Sequence, residues 1–152
     1  MAGSLLHSPA DIIRYLMVAQ GYGSLPSSSS TWPISVGREN KEAESTITVY
    51  DDEGRDRGRI MNDGSRPVLE GYQIRFRSTD PKAAFLKARA TMVAMDALYL
   101  VTVPIADSAG VRRYYTVHSI NRGLLINLSE NLPTSSHGIY VCNCLSSIKM
   151  TA

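Results

Sequence analysis

Nothing in this sequence carries the usual marks of a catalyst. It holds no GxSxG elbow, no HExxH pair, no glycine-rich phosphate loop and no cysteine placed beside a histidine. The commonest hydrolase, zinc-protease and nucleotide-binding signatures are therefore missing. No apolar run approaches the roughly 20 residues that a helical membrane span requires. The opening stretch MAGSLLHSPADII has no basic region followed by a long apolar one, so no secretion signal is expected and folding in a reducing compartment is. Metal ligands are sparse: His7, His118 and His137 are scattered, and Cys142 and Cys144 stand two apart without further ligands at a zinc spacing. The two thiols share a strand face, bridge only with distortion, and are expected to be packed and free. Charge of one sign is lacking too. Sixteen Lys and Arg against 14 Asp and Glu leave a net charge of +2, too little for a protein that coats nucleic acid, and the apolar content is too high for a disordered chain. No cofactor, metal or enzymatic activity is expected.

What is present suits a single domain over residues 1–152 with a sizeable core. Ser8-Pro9-Ala10-Asp11 opens a helix: Ser8 can cap, Pro9 fits the first turn, and Asp11 favours the positive end. Ile12, Ile13, Leu16, Met17 and Ala19 give that helix an apolar face, and Gly21 and Gly23 stop it. After a four-serine connector, Trp32 to Val36 reads as a short strand with Pro33 at an edge or a beginning. Thr46–Tyr50 and Tyr72–Arg77 alternate polar and apolar, the period of a half-buried strand. Asp80-Pro81 opens a second, longer helix to about Leu100. It carries two apolar stripes, Phe85, Ala88, Met92, Met95 and Tyr99 on one and Leu86, Val93, Ala97 and Leu100 on the other, so cover on two sides is expected, from the sheet and from either the first helix or a neighbouring subunit. Strand signals then follow at 101–105, 113–120, 123–128 and 139–145. Helix, three strands, helix and four strands make an α+β fold: a mostly antiparallel or mixed sheet with both helices on one face.

The 46–78 stretch is the unusual one. Between its two strand-like ends lies a long extended loop or hairpin arm, Asp51 to Glu70, longer than compact domains leave unstructured without a task. Its acids Asp51, Asp52, Glu53 and Asp56 do not follow the spacing of a calcium hand. From Asp51 to Arg77 six arginines meet six acids. A DNA-tracking groove needs surplus positive charge and stacking aromatics, whereas alternating signs suit pairing between identical subunits. Arg75 and Arg77 share a strand face with Gln73, which is expected to be wet or to meet a partner.

Taken in order, Asp11-Ile12-Ile13-Arg14-Tyr15-Leu16, Trp32-Pro33-Ile34-Ser35-Val36-Gly37, Ile47-Thr48-Val49-Tyr50-Asp51, Gly54-Arg55-Asp56, Gly58-Arg59, Met61-x-Asp63-Gly64 and Tyr115-x-Val117-His118 resemble the tail terminator (tail-completion) proteins of long-tailed bacteriophages. The resemblance spans nearly the whole chain in short pieces. It implies an α+β subunit that assembles as a homo-oligomeric ring, a hexamer, at the tail-neck junction of the virion after assembly in the host cytoplasm. The implied partners are the tail tube protein and a head-completion or neck protein; DNA passes through the ring without specific binding, and no membrane is involved. It implies no catalytic residues. The interface residues expected on this basis are Arg55, Asp56, Arg57, Arg59, Met61 and Asp63, with Gly54, Gly58 and Gly64 allowing backbone turns. The alternatives are a neck or head-completion connector, a small DNA-binding module and, last, a small hydrolase using the acidic arm.

Overall fold

A computed structural model describes residues 5–26, 31–56, 68–128 and 137–151. Among them, two helices lie on one face of a seven-stranded mixed sheet, as the α+β reading requires. The elements in chain order are α1 (Pro9–Ala19), β1 (Ile34–Val36), β2 (Ser45–Asp56), β3 (Val68–Ser78), α2 (Pro81–Asp96), β4 (Val101–Ala106), β5 (Arg112–Arg122), β6 (Ile126–Asn127) and β7 (Gly138–Thr151). The strands are ordered β1-β2-β3-β7-β5-β4, with β6 beside β7. Only β1 with β2 is parallel; the other pairs are antiparallel.

Helix α1 forms where the capping residues direct it. Ser8 Oγ accepts from the Asp11 N–H at 3.2 Å, and Pro9 fills the first turn. Its buried face is Ala10, Ile12, Ile13, Leu16 and Met17; Ala19, expected on that face, is exposed at the last turn. The sheet's inward side chains repeat every second residue: Ile47 and Val49 on β2, Tyr72, Ile74 and Phe76 on β3, and Cys142, Cys144 and Ile148 on β7. These join the α1 face and Ala88, Met92 and Met95 of α2 in one core. At the β1 edge, Trp32 has φ 52°, a left-handed conformation that costs an aromatic residue roughly 1–2 kcal/mol. Its carbonyl accepts from the Ser24 N–H at 3.2 Å, and the Lys87 ammonium sits 5.7 Å from the indole centroid.

The buried interior includes a hydroxyl pair. Tyr72 and Ser146, both fully buried, share a hydroxyl–hydroxyl bond of 2.7 Å across β3 and β7. Tyr72→Phe strands the Ser146 hydroxyl, and urea unfolding is expected to show a loss of about 1–3 kcal/mol. Adding Ser146→Ala should return most of that loss, because neither partner is then left unpaired.

Several boundaries depart from the sequence pattern. Helix α2 ends at Asp96, not Leu100: Ala97 caps it, the Leu98 N–H bonds to the Met95 carbonyl at 3.0 Å, and the chain must turn to begin β4 at Val101. Strand β7 runs to Thr151, well past Leu145. It is flanked by β3 along 138–146 and by β5 along 144–151, and these ladders hold its polar second half extended. Of the 123–128 segment Ile126 and Asn127 form a ladder with β7, and the Gly123 and Leu128 N–H groups donate to its Asn143 and Ile139 carbonyls, while Leu124 is 85% exposed.

Candidate assembly surface at the root of the arm

The arm grows out of the sheet as a continuation of β2 and β3. Ile47 and Val49 face the core, but from Asp51 onward every residue of β2 is exposed, because the apolar alternation stops at Tyr50. The last rung joining β3 to β7 is Glu70 with Ser146; beyond it Leu69 and Val68 pair only with Arg55 and Asp56. What the sequence presents as a loop is, at its root, a two-stranded ribbon leaving the domain.

The register of that ribbon slips between Asp52 and Arg55. Asp52 Oδ1 accepts from the Glu53 N–H at 2.8 Å and holds the bulge. Gly54 and Gly71 permit it: a methyl group at Gly71 would collide with the Glu53 carbonyl, and one at Gly54 with the Leu69 carbonyl. Gly54 thus serves close approach of two backbones and not a turn, since its φ is not positive. The bulge forms one wall of a cleft of about 690 Å3, with residues 121–123 opposite and residues 143–145 as its floor.

The charged residues take distinct parts. Asp51 is drawn out of the arm: its Oδ1 accepts from the Ala10 N–H at 2.9 Å and places a carboxylate at the positive end of α1. Asp52, Glu53, Arg55 and Asp56 are exposed at the ribbon root, and Arg55 has no carboxylate partner among the described residues. Arg57, Arg59, Met61 and Asp63, with Gly58 and Gly64, lie outside the described residues. Arg122 meets the cleft but is held by Asp96, Nε at 3.0 and 2.9 Å and Nη2 at 2.8 Å, which raises its already high pKa.

The face bearing Arg75, Gln73 and Arg77 is corrected in part. Arg77 is clamped by its own chain, pairing with Glu39 and donating from Nη2 to the Asn40 carbonyl at 2.7 Å and the Ala43 carbonyl at 3.0 Å. Gln73 donates to Asn143 Oδ1 at 2.9 Å. An arginine with three acceptors in its own domain is a fastener for the 38–44 loop, and no periodicity signals that. Cys142 and Cys144 are free and buried, Sγ to Sγ 3.9 Å; the bond between them makes Cys142 the more acidic and pushes the Cys144 thiol up. Among the described residues no group of three or more His, Cys, Asp and Glu could hold a metal ion, and no helix is long and apolar enough to cross a membrane.

Glu70 sits at the hinge between sheet and ribbon. Burial first, and the Asp51 charge second, raise its pKa above the ordinary 4.5. The native state therefore binds this proton more tightly than the unfolded chain, so its contribution to stability falls as pH rises from 4.5 through the raised value and stays low above it. Glu70→Gln is expected to raise the melting temperature at pH 7 and leave it unchanged near pH 4; the same offset at both would contradict this assignment.

No known family model matches the chain, and no curated protein matches it. The tail-terminator reading therefore rests on the ordered motifs and on the geometry of the arm's root.

Proposed function

We propose that this chain is a structural virion-assembly protein: a tail terminator whose copies form a ring, six by the resemblance, on the last ring of the tail tube. The ring ends tube growth and offers the surface that a head-completion or neck protein joins, with DNA passing through it without specific binding.

The observation that carries this reading is the division of charge along the arm. Residues 51–56 hold four acids and one arginine, whereas residues 57–67 hold three arginines and one aspartate. The root leaves the domain as an exposed ribbon and puts Asp52 and Glu53 at the surface. An arm acidic at its root and basic beyond it is complementary to the same arm on the next copy, arginine fork against carboxylate. Such a contact joins two different patches, head to tail, and closes into a ring by rotation. Arg55 and Asp56 would contribute from the root, and Arg57, Arg59, Met61 and Asp63 from beyond it. A DNA-tracking role is less well supported, because Arg77 and Arg122 are already engaged by Glu39 and Asp96.

Light scattering and negative-stain imaging of the protein mixed with tail tubes test the reading. The expected result is a ring of six 16.6-kDa chains at one tube end and a flat DNA titration at low salt. Tubes with bare ends, or DNA affinity that falls steeply with salt, would contradict it.

A further inference from the structure

No described helix or strand covers the second side of α2. Ala84, Ala88, Thr91, Met92 and Met95 face the core, and Leu86, Ala90, Val93 and Ala97 point the opposite way, with Leu86 53% and Val93 58% exposed. The helix is thus apolar on both sides, which a lone solvated helix does not require.

The stripe has the order of a coiled-coil seam. Leu86 and Val93 fall at one heptad core position and Ala90 and Ala97 at the other, spaced four, three and four residues apart. Large and small residues alternate. Ala97, the cap residue, keeps helical dihedrals of φ −78° and ψ −12°, so the seam runs through it. Along one flank, at the position preceding each alanine, stand Arg89 and Asp96. Arg89 is exposed and without a carboxylate partner among the described residues. Asp96, with its side chain 42% exposed, holds Arg122 and keeps carboxylate lone pairs free for another donor.

We propose that the occupant of this stripe is the same stripe of a second copy, packed antiparallel about a two-fold axis. In one register Leu86 lies over Ala97 of the other copy and Val93 over its Ala90, so each large side chain meets a small one. That register also sets Arg89 against Asp96 of the other copy, twice by symmetry, because in an antiparallel pair this flank faces its own mate. Packing and charge select the same alignment independently. The two alanines let the axes approach to about 8 Å, the short end of the usual range. A seam of this length buries less than the roughly 1,600 Å2 of a standard interface, so the pair is weak, with a Kd on the order of 10 micromolar. This pair goes beyond the ring reading and does not depend on it: it uses α2, not the arm, and describes the protein free of tubes.

Sedimentation velocity over about 1–300 micromolar free protein tests it. The wild type should move from monomer to dimer across that range. Val93→Glu places like charges beside the axis and should leave a monomer throughout, and Arg89→Glu should weaken the pair at least tenfold. Val111→Glu, at an exposed residue in the turn between β4 and β5, should change nothing. All three sites are exposed, and far-ultraviolet circular dichroism checks that each variant is folded. A wild type that stays monomeric, or an association that survives both Val93→Glu and Arg89→Glu, overturns the proposal.

Discussion

Replacing Gly71 with valine is expected to lower stability by about 1–3 kcal/mol, the usual cost of overpacking a filled site, and to free the arm from its seat. The side chain would enter the space held by the Glu53 carbonyl and reach the Asp52 carbonyl as well. These are backbone atoms in a hydrogen-bonded ribbon and cannot swing aside as a side-chain end could. The bulge between Asp52 and Arg55 must open, and with it the wall of the cleft. Urea denaturation measures the loss; faster amide exchange at residues 52–55 and 69–71, with the β5–β7 ladder unchanged, would localise it. A valine variant as stable as the parent would mean that the close approach at Gly71 is not required.

The second large effect concerns assembly and leaves folding intact. Asp56 and Val68 are direct cross-strand partners, so residues 57–67 can be replaced by a two-residue Asn-Gly turn that closes the ribbon at that rung. The described core residues all lie outside this segment. Circular dichroism and melting temperature should therefore match the parent. Ring formation on tubes should be lost, because the basic half of the arm is gone while the acidic root remains. Normal capping by the shortened chain would show that the arm is not the contact.

Much of this architecture was legible in the sequence. Ser8-Pro9 and Asp80-Pro81 mark both helix starts, period-two alternation locates β2 and β3, and strand signals locate β4 and β5. What could not be read depends on partners distant in the chain. The second half of β7 is held by ladders to β3 and β5, and its Ser146 looks like a strand end until Tyr72 is found bonded to it. The end of α2 carries no glycine or proline and is set by the need to enter β4. At the candidate site, the exposure of Arg55 and Asp56 follows from the polar pattern, but two roles do not. Asp51 reads as one more arm acid until α1 is seen to rest its first turn on it, and Arg77 reads as a free surface charge until the 38–44 loop closes over it. Gly54 was identifiable as special and misread in kind, since a lone glycine in a charged stretch signals a turn more often than two backbones in contact.

The account turns on the arm touching another copy or the tube. Electron cryomicroscopy of tube ends carrying this protein addresses that directly. The predicted result is a closed ring in which the 51–69 arm of each subunit contacts a neighbour or the last tube ring, basic stretch against acidic root. A ring in which every arm lies against its own domain and reaches no other chain would contradict it.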